Sequence, residues 1–379
     1  MKIGIDARLF AQGKNTGVEE FAKCFLENLF QRSSEHEYIL FFNSWKKVPI
    51  DFSWATKYKN VKVKQYNIPN KLLNFSLWFL RYPKLDKLCG GVDIFYMPNI
   101  NFHAISRKTK LFVTMHDLSF EHYKESFSLR RRIWHFILNP RLLCKKADKI
   151  FAVSEFTKQD IEETYHINSK KIKLAVSGRT SVRGKMGRND IKLIEIKEKY
   201  KLPFNFILYF GTIEPRKNIV SLVKAFEILK KQSPKIKHSL VIAGASGWKA
   251  KKIYKAIDNS KFKDQIIILN DIPQEDKEAL FTLSSVFVAP SFFEGFGFPA
   301  LEAIACDVPT IVSHSSSLPE VTGKNAIMID CFRAEEIALA LKEILTNNKM
   351  KFILLQNKIR HLQKFDWNNT VDVFLKVSK

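Results

Sequence analysis

Pro290-Ser291-Phe292-Phe293-Glu294-Gly295-Phe296-Gly297-Phe298-Pro299-Ala300-Leu301-Glu302-Ala303 carries two carboxylates eight positions apart, Glu294 and Glu302. An unbroken helix would leave them about 80° apart around its axis. Gly295, Gly297 and Pro299 argue against one, since glycine disfavours helix interiors and proline suits a first turn. The stretch therefore reads as a strand end, a tight glycine turn and a helix N-terminus. Such a turn exposes backbone N–H groups at the positive end of a helix dipole, where phosphate binds. Carboxylates beside it only accept hydrogen bonds, which suits a ligand rich in hydroxyls. Phosphate and hydroxyls together describe a nucleotide sugar. The plainer alternative is a solvated loop Glu and a helix-face Glu, and the spacing alone leaves both open.

Working outward, strand-like and helix-like stretches alternate. Apolar runs at Lys2–Ile5, Tyr38–Phe42, Val61–Gln65, Ile94–Met97, Lys110–Met115 and Lys149–Val153 read as strands, with a helix at Gly17–Gln31. A glycine- and cation-containing break at Ser177–Arg188 reads as a linker. After a helix at Asp190–Tyr200, strands follow at Asn205–Tyr209, Ser239–Ala243, Gln265–Leu269, Val286–Ala289 and Thr310–Val312. Helices follow at Asn218–Gln232, Gln274–Leu283, Pro299–Ala305 and Ala334–Asn347. This alternation predicts an α/β chain of two doubly wound parallel sheets. The expected domains are residues 1–180, residues 181–360, and a C-terminal helix in 361–379 returning toward the first domain. Ligands of such sheets bind outside the carboxyl ends of the strands.

A length of 379 residues also favours two domains over one core. The five cysteines are scattered without a CxxC pair, so neither a disulfide framework nor a zinc site is indicated, and a reducing, cytoplasmic setting is expected. The first strand is too short for a signal peptide, and no run of about 20 apolar residues would span a bilayer. The net charge of +24 draws the chain toward anionic surfaces. Lys71–Arg81 and Ser128–Lys146 interleave cations with Trp78, Phe79, Trp134 and Phe136, a combination suited to the inner face of a membrane. The alternative is a pair of core-packed helices with solvated basic faces.

Four further clusters fall where strands end. Tyr209-Phe210-Gly211-Thr212-Ile213-Glu214-Pro215-Arg216-Lys217-Asn218 delivers two adjacent cations before a helix, with Asn218 placed as an N-cap. Two cations there suit a diphosphate leaving group, Arg216 as a fork of donors and Lys217 as a point charge. Gly13-Lys14-Asn15-Thr16-Gly17-Val18 opens the first long helix. His116 and Asp117 close the Lys110–Met115 run. Ala243-Gly244-Ala245-Ser246-Gly247-Trp248 reads as the wall of a nucleotide pocket. There is no DxD pair and no P-loop, so a metal-bridged diphosphate is not indicated.

Taken together, these residues resemble a retaining GT-B glycosyltransferase of family four. Glu294 and Glu302 match its Glu-x7-Glu motif, and Gly211, Arg216, Lys217 and Asn218 match its glycine-arginine-lysine-asparagine loop. Ile5-Asp6-Ala7-Arg8 with Gly17, the His116-Asp117 pair and Val153-Ser154-Glu155-Phe156-Thr157 are similar as well. Two departures stand out. Val176-Ser177-Gly178-Arg179 replaces a Pro-Asn-Gly turn, and Val18 follows Gly17 where a second glycine is common.

The resemblance implies two Rossmann-like domains facing a central cleft. It implies catalytic roles for Arg216, Lys217, Glu294 and His116. It implies donor contacts at Gly17, Gly211, Gly244, Phe296, Gly297, Phe298 and Glu302, with Glu302 on the ribose hydroxyls. No metal or other cofactor is expected. The implied reaction moves a hexose from a nucleoside diphosphate sugar, GDP-mannose by analogy with surface-polysaccharide mannosyltransferases, to a glycan or lipid-linked acceptor. A UDP-sugar is the alternative donor. A basic, non-catalytic protein that binds membrane or nucleic acid is the alternative class, although no nucleic-acid module is present.

Overall fold

The computed structural model describes residues 1–12, 16–45, 51–180, 182, 184, 186–187 and 190–379. Part of the Gly13–Val18 loop, Gly13–Asn15, lies outside the described residues, as does part of the expected linker. The chain divides into two compact units. The first comprises Met1–Leu118, Arg130–Gly178 and Asp366–Lys379, and the second comprises Ser119–Leu129 and Arg179–Phe365.

The first unit is built on β1 (Lys2–Asp6), β2 (Glu37–Asn43), β3 (Val61–Tyr66), β4 (Ile94–Met97), β5 (Lys110–Met115), β6 (Lys149–Ala152) and β7 (Ile172–Leu174). All pair in parallel, in the order β3-β2-β1-β4-β5-β6-β7, with Ile3 opposite both Tyr38 and Ile94. Consecutive residues of β2, β4 and β5 are buried, the mark of a sheet covered on both faces. The Gly17–Arg32 helix starts where Thr16 accepts from the Glu19 amide at 3.3 Å while the Glu19 carboxylate accepts from the Thr16 amide at 2.9 Å. It buries Phe21, Phe25 and Leu29, spaced one helical turn apart. The Trp367–Ser378 helix packs there: Trp367 meets Phe21 at 5.3 Å, and Phe374 meets Phe25 at 5.5 Å and Tyr96 at 5.0 Å.

The second unit holds β8 (Phe206–Phe210), β9 (Ser239–Ala243), β10 (Ile266–Leu269), β11 (Val286–Ala289), β12 (Thr310–Ser313) and β13 (Ala326–Ile329), parallel in the order β10-β9-β8-β11-β12-β13. Leu222, Phe226 and Leu229 of the Ile219–Gln232 helix join Ile337, Leu341 and Ile344 of the Ala334–Thr346 helix in one core. Phe281, Phe287, Ala303 and Leu318 belong to another.

Both sheets thus have the doubly wound form expected from the sequence. Each reverses direction beside its first strand, between β1 and β4 and between β8 and β11, and such switch points open a crevice at the carboxyl ends. Two strands were not anticipated, β7 and β13. Both are short and lie at a sheet edge, where one ladder suffices and the apolar run is brief. The units divide at Gly178/Arg179 and Phe365/Asp366 rather than at 180 and 360. The sequence boundaries also placed Ser119–Leu129 in the first domain. It belongs to the second unit, because its aromatic side chains stack on rings there.

Candidate functional site

Since β8 pairs with β11, the loops that follow them leave the sheet side by side. They are laced together by backbone and side chain. The Phe292 amide donates to the Arg216 carbonyl at 2.9 Å, and Arg216 Nη1 donates to the Phe293 carbonyl at 2.8 Å. Asn218 sits at the head of its helix with φ 55°, but it makes no side-chain cap, contrary to the expectation from sequence. Its Nδ2 instead donates to the carbonyls of Pro290 at 3.1 Å and Cys331 at 2.6 Å, binding three strand ends together.

This lacing sets the charged groups. Lys217 Nζ donates to both oxygens of Glu294, at 2.6 and 2.8 Å, and Arg216 Nη1 stands 3.6 Å from Glu294 Oε2. Arg216 also pairs with Glu214 through Nη2 at 3.0 Å and Nε at 3.1 Å. Glu294 is only 8% exposed. Burial by itself would raise its carboxyl, but Lys217 and Arg216, with the hydroxyl of Ser291 at 2.7 Å, outweigh that and hold it below the usual carboxylate range. Serines fix its backbone: the Glu294 amide donates to Ser316 Oγ at 2.8 Å, and Ser317 Oγ reaches the carbonyls of Glu294 and Phe296 at 3.0 Å. The result is a carboxylate of fixed orientation between two cations.

Beside it lies a recess lined by Tyr209, Phe210, Lys217, Ser291, Glu294 and Gly297, with Pro299 and Ala300 of the following helix. Gly297 precedes that helix at φ 97°, and a Cβ there would fall 2.6 Å from Leu318 Cδ2. Only glycine fits both demands. No side chain caps this helix, and Pro299 and Ala300 of its first turn line the recess, the Ala300 amide donating to the Gly297 carbonyl at 3.1 Å. The Tyr209 phenol is held protonated by burial, reinforced by Glu294 and Glu214.

Other residues singled out by sequence occupy different surroundings. Glu302 is 2% exposed; its Oε1 accepts from Lys277 Nζ at 2.6 Å and from Thr180 Oγ1 at 2.5 Å. Gly244 butts against the other glycine strand end, where a Cβ would come 2.1 Å from the Gly211 carbonyl oxygen. Phe296 and Phe298 are buried against each other at 4.9 Å, with Phe365 at 5.8 Å from Phe296. In the first unit, Gly17 opens its helix, and His116 follows β5. His116 Nε2 lies 2.9 Å from the Pro98 carbonyl, which fixes the ring as an Nε2–H donor, and Phe21 meets the ring edge-on at 4.9 Å. Burial lowers the basicity of His116 against the opposing pulls of Pro98 and Asp117, keeping it neutral near pH 7.

Several partners escaped the sequence reading: Glu214 on Arg216, Lys277 on Glu302, and the serines around Glu294. Glu214 stood inside the quoted loop two residues before Arg216, so its presence was visible but its partner was not. Ser315-Ser316-Ser317 was a polar run directly after a strand, the place where backbone caps are found. Among the described residues no group of three or more His, Cys, Asp or Glu could hold a metal ion, and no helix is long and apolar enough to cross a membrane.

Two family models cover most of the chain in succession: Glycosyltransferase Family 4 over residues 16–178 and Glycosyl transferases group 1 over residues 190–360. The chain is 28% identical over 278 residues to O-antigen chain mannosyltransferase B of Escherichia coli, covering 71% of this chain and 70% of that protein. A serotype-specific mannosyltransferase of Escherichia coli is 29% identical over 243 residues; that match takes in 64% of this chain but spans only 30% of the relative's length. Among solved structures, sucrose-phosphate synthase from Thermosynechococcus elongatus superposes with a TM-score of 0.75 at 17% identity, covering 100% of this chain and 98% of the other, a likeness of fold.

Proposed function

Since the chain belongs to the family-four GT-B glycosyltransferases, we propose that it is a retaining, metal-independent hexosyltransferase that uses a nucleoside diphosphate sugar, with GDP-mannose as donor. The observation that carries the reading is the cluster of Arg216, Lys217 and Glu294 on the recess at the β8/β11 switch point. A diphosphate seated there meets two cations at the head of the Phe298–Ala305 helix. Lys217 uses two of its three ammonium hydrogens on Glu294, which leaves capacity for a phosphate oxygen. Charge that grows on the departing diphosphate is stabilised by groups already in position. Glu294, ionised and oriented by Ser291 and Ser316, accepts hydrogen bonds from hydroxyls of the transferred sugar. Glu302 takes the ribose hydroxyls, and in the first unit His116 offers a neutral imidazole to a substrate hydroxyl. With cations at the leaving group, a bridging metal has no task.

Mannose is favoured by the relatives, which are O-antigen mannosyltransferases. The same likeness suggests an acceptor that is a growing glycan or a lipid-linked saccharide in surface-polysaccharide synthesis. A membrane contact is part of the proposal. The Lys71–Arg81 stretch exposes Leu72, Phe75, Trp78, Phe79 and Leu80 while burying only Leu73 and Leu77, and it holds no acidic residue. The helix at Leu129–Leu138 exposes Ile133 and Phe136 beside Arg130, Arg131 and Arg132. Bare aromatics flanked by cations suit an anionic lipid surface.

The deciding experiment is a thermal-shift and turnover screen with GDP-mannose, UDP-glucose and UDP-galactose, each with and without EDTA. A ligand raises the melting temperature of the state it binds. GDP-mannose should give the largest shift, and EDTA should not reduce turnover. A UDP-sugar giving the largest shift would replace the donor. Activity abolished by EDTA and restored by Mg²⁺ would end the metal-free reading.

A further inference from the structure

Ser119–Leu129 lies between strands of the first unit in sequence, yet it belongs to the second. It is seated there at two places. At one, Phe127 stacks on Trp248 at 5.5 Å and 22°, the Trp248 indole N–H donates to the Ser126 carbonyl at 2.7 Å, and Lys249 Nζ donates to the Glu125 carbonyl at 2.5 Å. At the other, Tyr123 stacks on Phe292 at 6.1 Å and 11°, and His122 stacks on Phe293 at 5.6 Å and 29°. Phe292 also stacks on Phe332, at 5.0 Å and 29°.

Phe292 and Phe293 are the two residues before Glu294, and their peptide groups are the ones that Arg216 grips from the opposite loop. The segment therefore presses on the peptide that joins the carboxylate to the cation. Stacked rings resist lateral slip and add attraction beyond their burial. A slip of about 1 Å at a reacting centre costs on the order of 10²-fold in rate.

We propose that Tyr123, with His122 beside it, is a positioning residue of the donor site: its ring on Phe292 sets the place of Glu294 and Arg216, while the Trp248 seat anchors the segment. The inference rests on the reading of that site as the place of sugar transfer. It gives the Trp248 loop a task other than that expected from sequence, as a seat for this segment.

The test is a double-mutant cycle on donor kinetics. Tyr123→Ala and Phe292→Ala should each lower kcat/KM for the donor by 10- to 100-fold, mostly in kcat. The double variant should be no worse than the poorer single one, because both remove the same stack. Tyr123→Phe keeps the ring and should restore at least half of the wild-type value; its hydroxyl is 3.4 Å from the Phe292 carbonyl and adds little. Wild-type kinetics in Tyr123→Ala, strict additivity, or equal loss in Tyr123→Phe overturns the proposal. Should Tyr123→Ala lack a cooperative melt, Tyr123→Leu and Trp248→Phe replace it, with an expected loss of three- to tenfold and an unchanged rate as the adverse result. Arg216→Ala run in parallel separates the two readings. Loss there with none at Tyr123 removes the positioning role alone, and no loss at Arg216 removes the site.

Discussion

The crevice edge of the first sheet and that of the second have the same strand logic but different chemistry. In the second unit the loops after β8 and β11 bring a buried carboxylate into hydrogen bonds with one cation and within 3.6 Å of a second, and side chains bond the backbone on both sides. In the first unit the residue after β5 is a neutral histidine set against an aromatic ring, and the buried cation after β1, Arg8, is closed onto Asp6 at 2.6 Å and onto the Phe102 carbonyl at 2.7 Å. One edge gathers two cations on one carboxylate beside a recess, whereas the other sets a self-contained ion pair and a neutral imidazole. A doubly wound sheet supplies the place for a site, and the loops decide its chemistry.

The contrast is broken most directly at its charges. Arg216→Ala and Lys217→Ala should each lower turnover by about 10²–10³, the usual effect of removing one preorganised donor from a developing charge. His116→Ala, which loses a neutral contact, should cost nearer tenfold, mainly in KM. Steady-state kinetics on all three would check the ordering, and equal losses would erase the distinction between the edges.

A second measurement uses pH. Burial, with Arg81, Arg8 and Lys146 nearby, pushes the His103 imidazole of the first unit down to about 4. Its folded form refuses a proton that the unfolded chain accepts below about 6.5, so its share of stability is lost as pH falls from there toward 4. The loss should reach roughly 2–3 kcal/mol at the lower end. Glu294 is held below its usual value of 4.5, so its stabilisation is present above that pH and disappears only beneath it. Denaturant melts from pH 7 to 3 should therefore flatten in the upper window for His103→Gln and only below 4.5 for Glu294→Gln. His116, His238 and His361, whose basicity desolvation also lowers, share the upper window, so His103→Gln removes part of its slope. An unchanged slope would refute the assignment.

The smallest effect concerns the surface. Phe75→Ser with Phe79→Ser should weaken co-sedimentation with phosphatidylglycerol vesicles about tenfold, a fraction of the transfer energy of two rings. Binding of the wild type should fall as salt rises, because its cations face solvent. Salt-independent or absent binding would leave the exposed aromatics without a lipid partner.

Strand alternation was legible because parallel strands buried on both faces are apolar throughout, and the long helices repeat their buried face every turn. The motif loops were legible for a similar reason: glycine, proline and paired charges at a strand end record a local backbone need, as Gly297 does at φ 97°. β7 and β13 were not, since an edge strand of three or four residues needs little apolar sequence. Nor was the counter-charge on each site residue. Glu214 and Lys277 lie 2 and 25 positions from their partners, and nothing in the spacing says which acid meets which base.

By itself, then, the sequence determined the α/β class, the two sheets and the loops that carry chemistry, because those follow from short-range periodicity and backbone geometry. Only the tertiary structure decided that Glu294 is clamped by Lys217 from 77 positions away, that Glu302 is buried on Lys277, and that Ser119–Leu129 packs on the second unit. Those outcomes depend on which buried charge is compensated by which neighbour and which ring finds a flat partner. Both are settled by the mutual exclusion of water among distant segments, a condition that no local pattern of residues encodes.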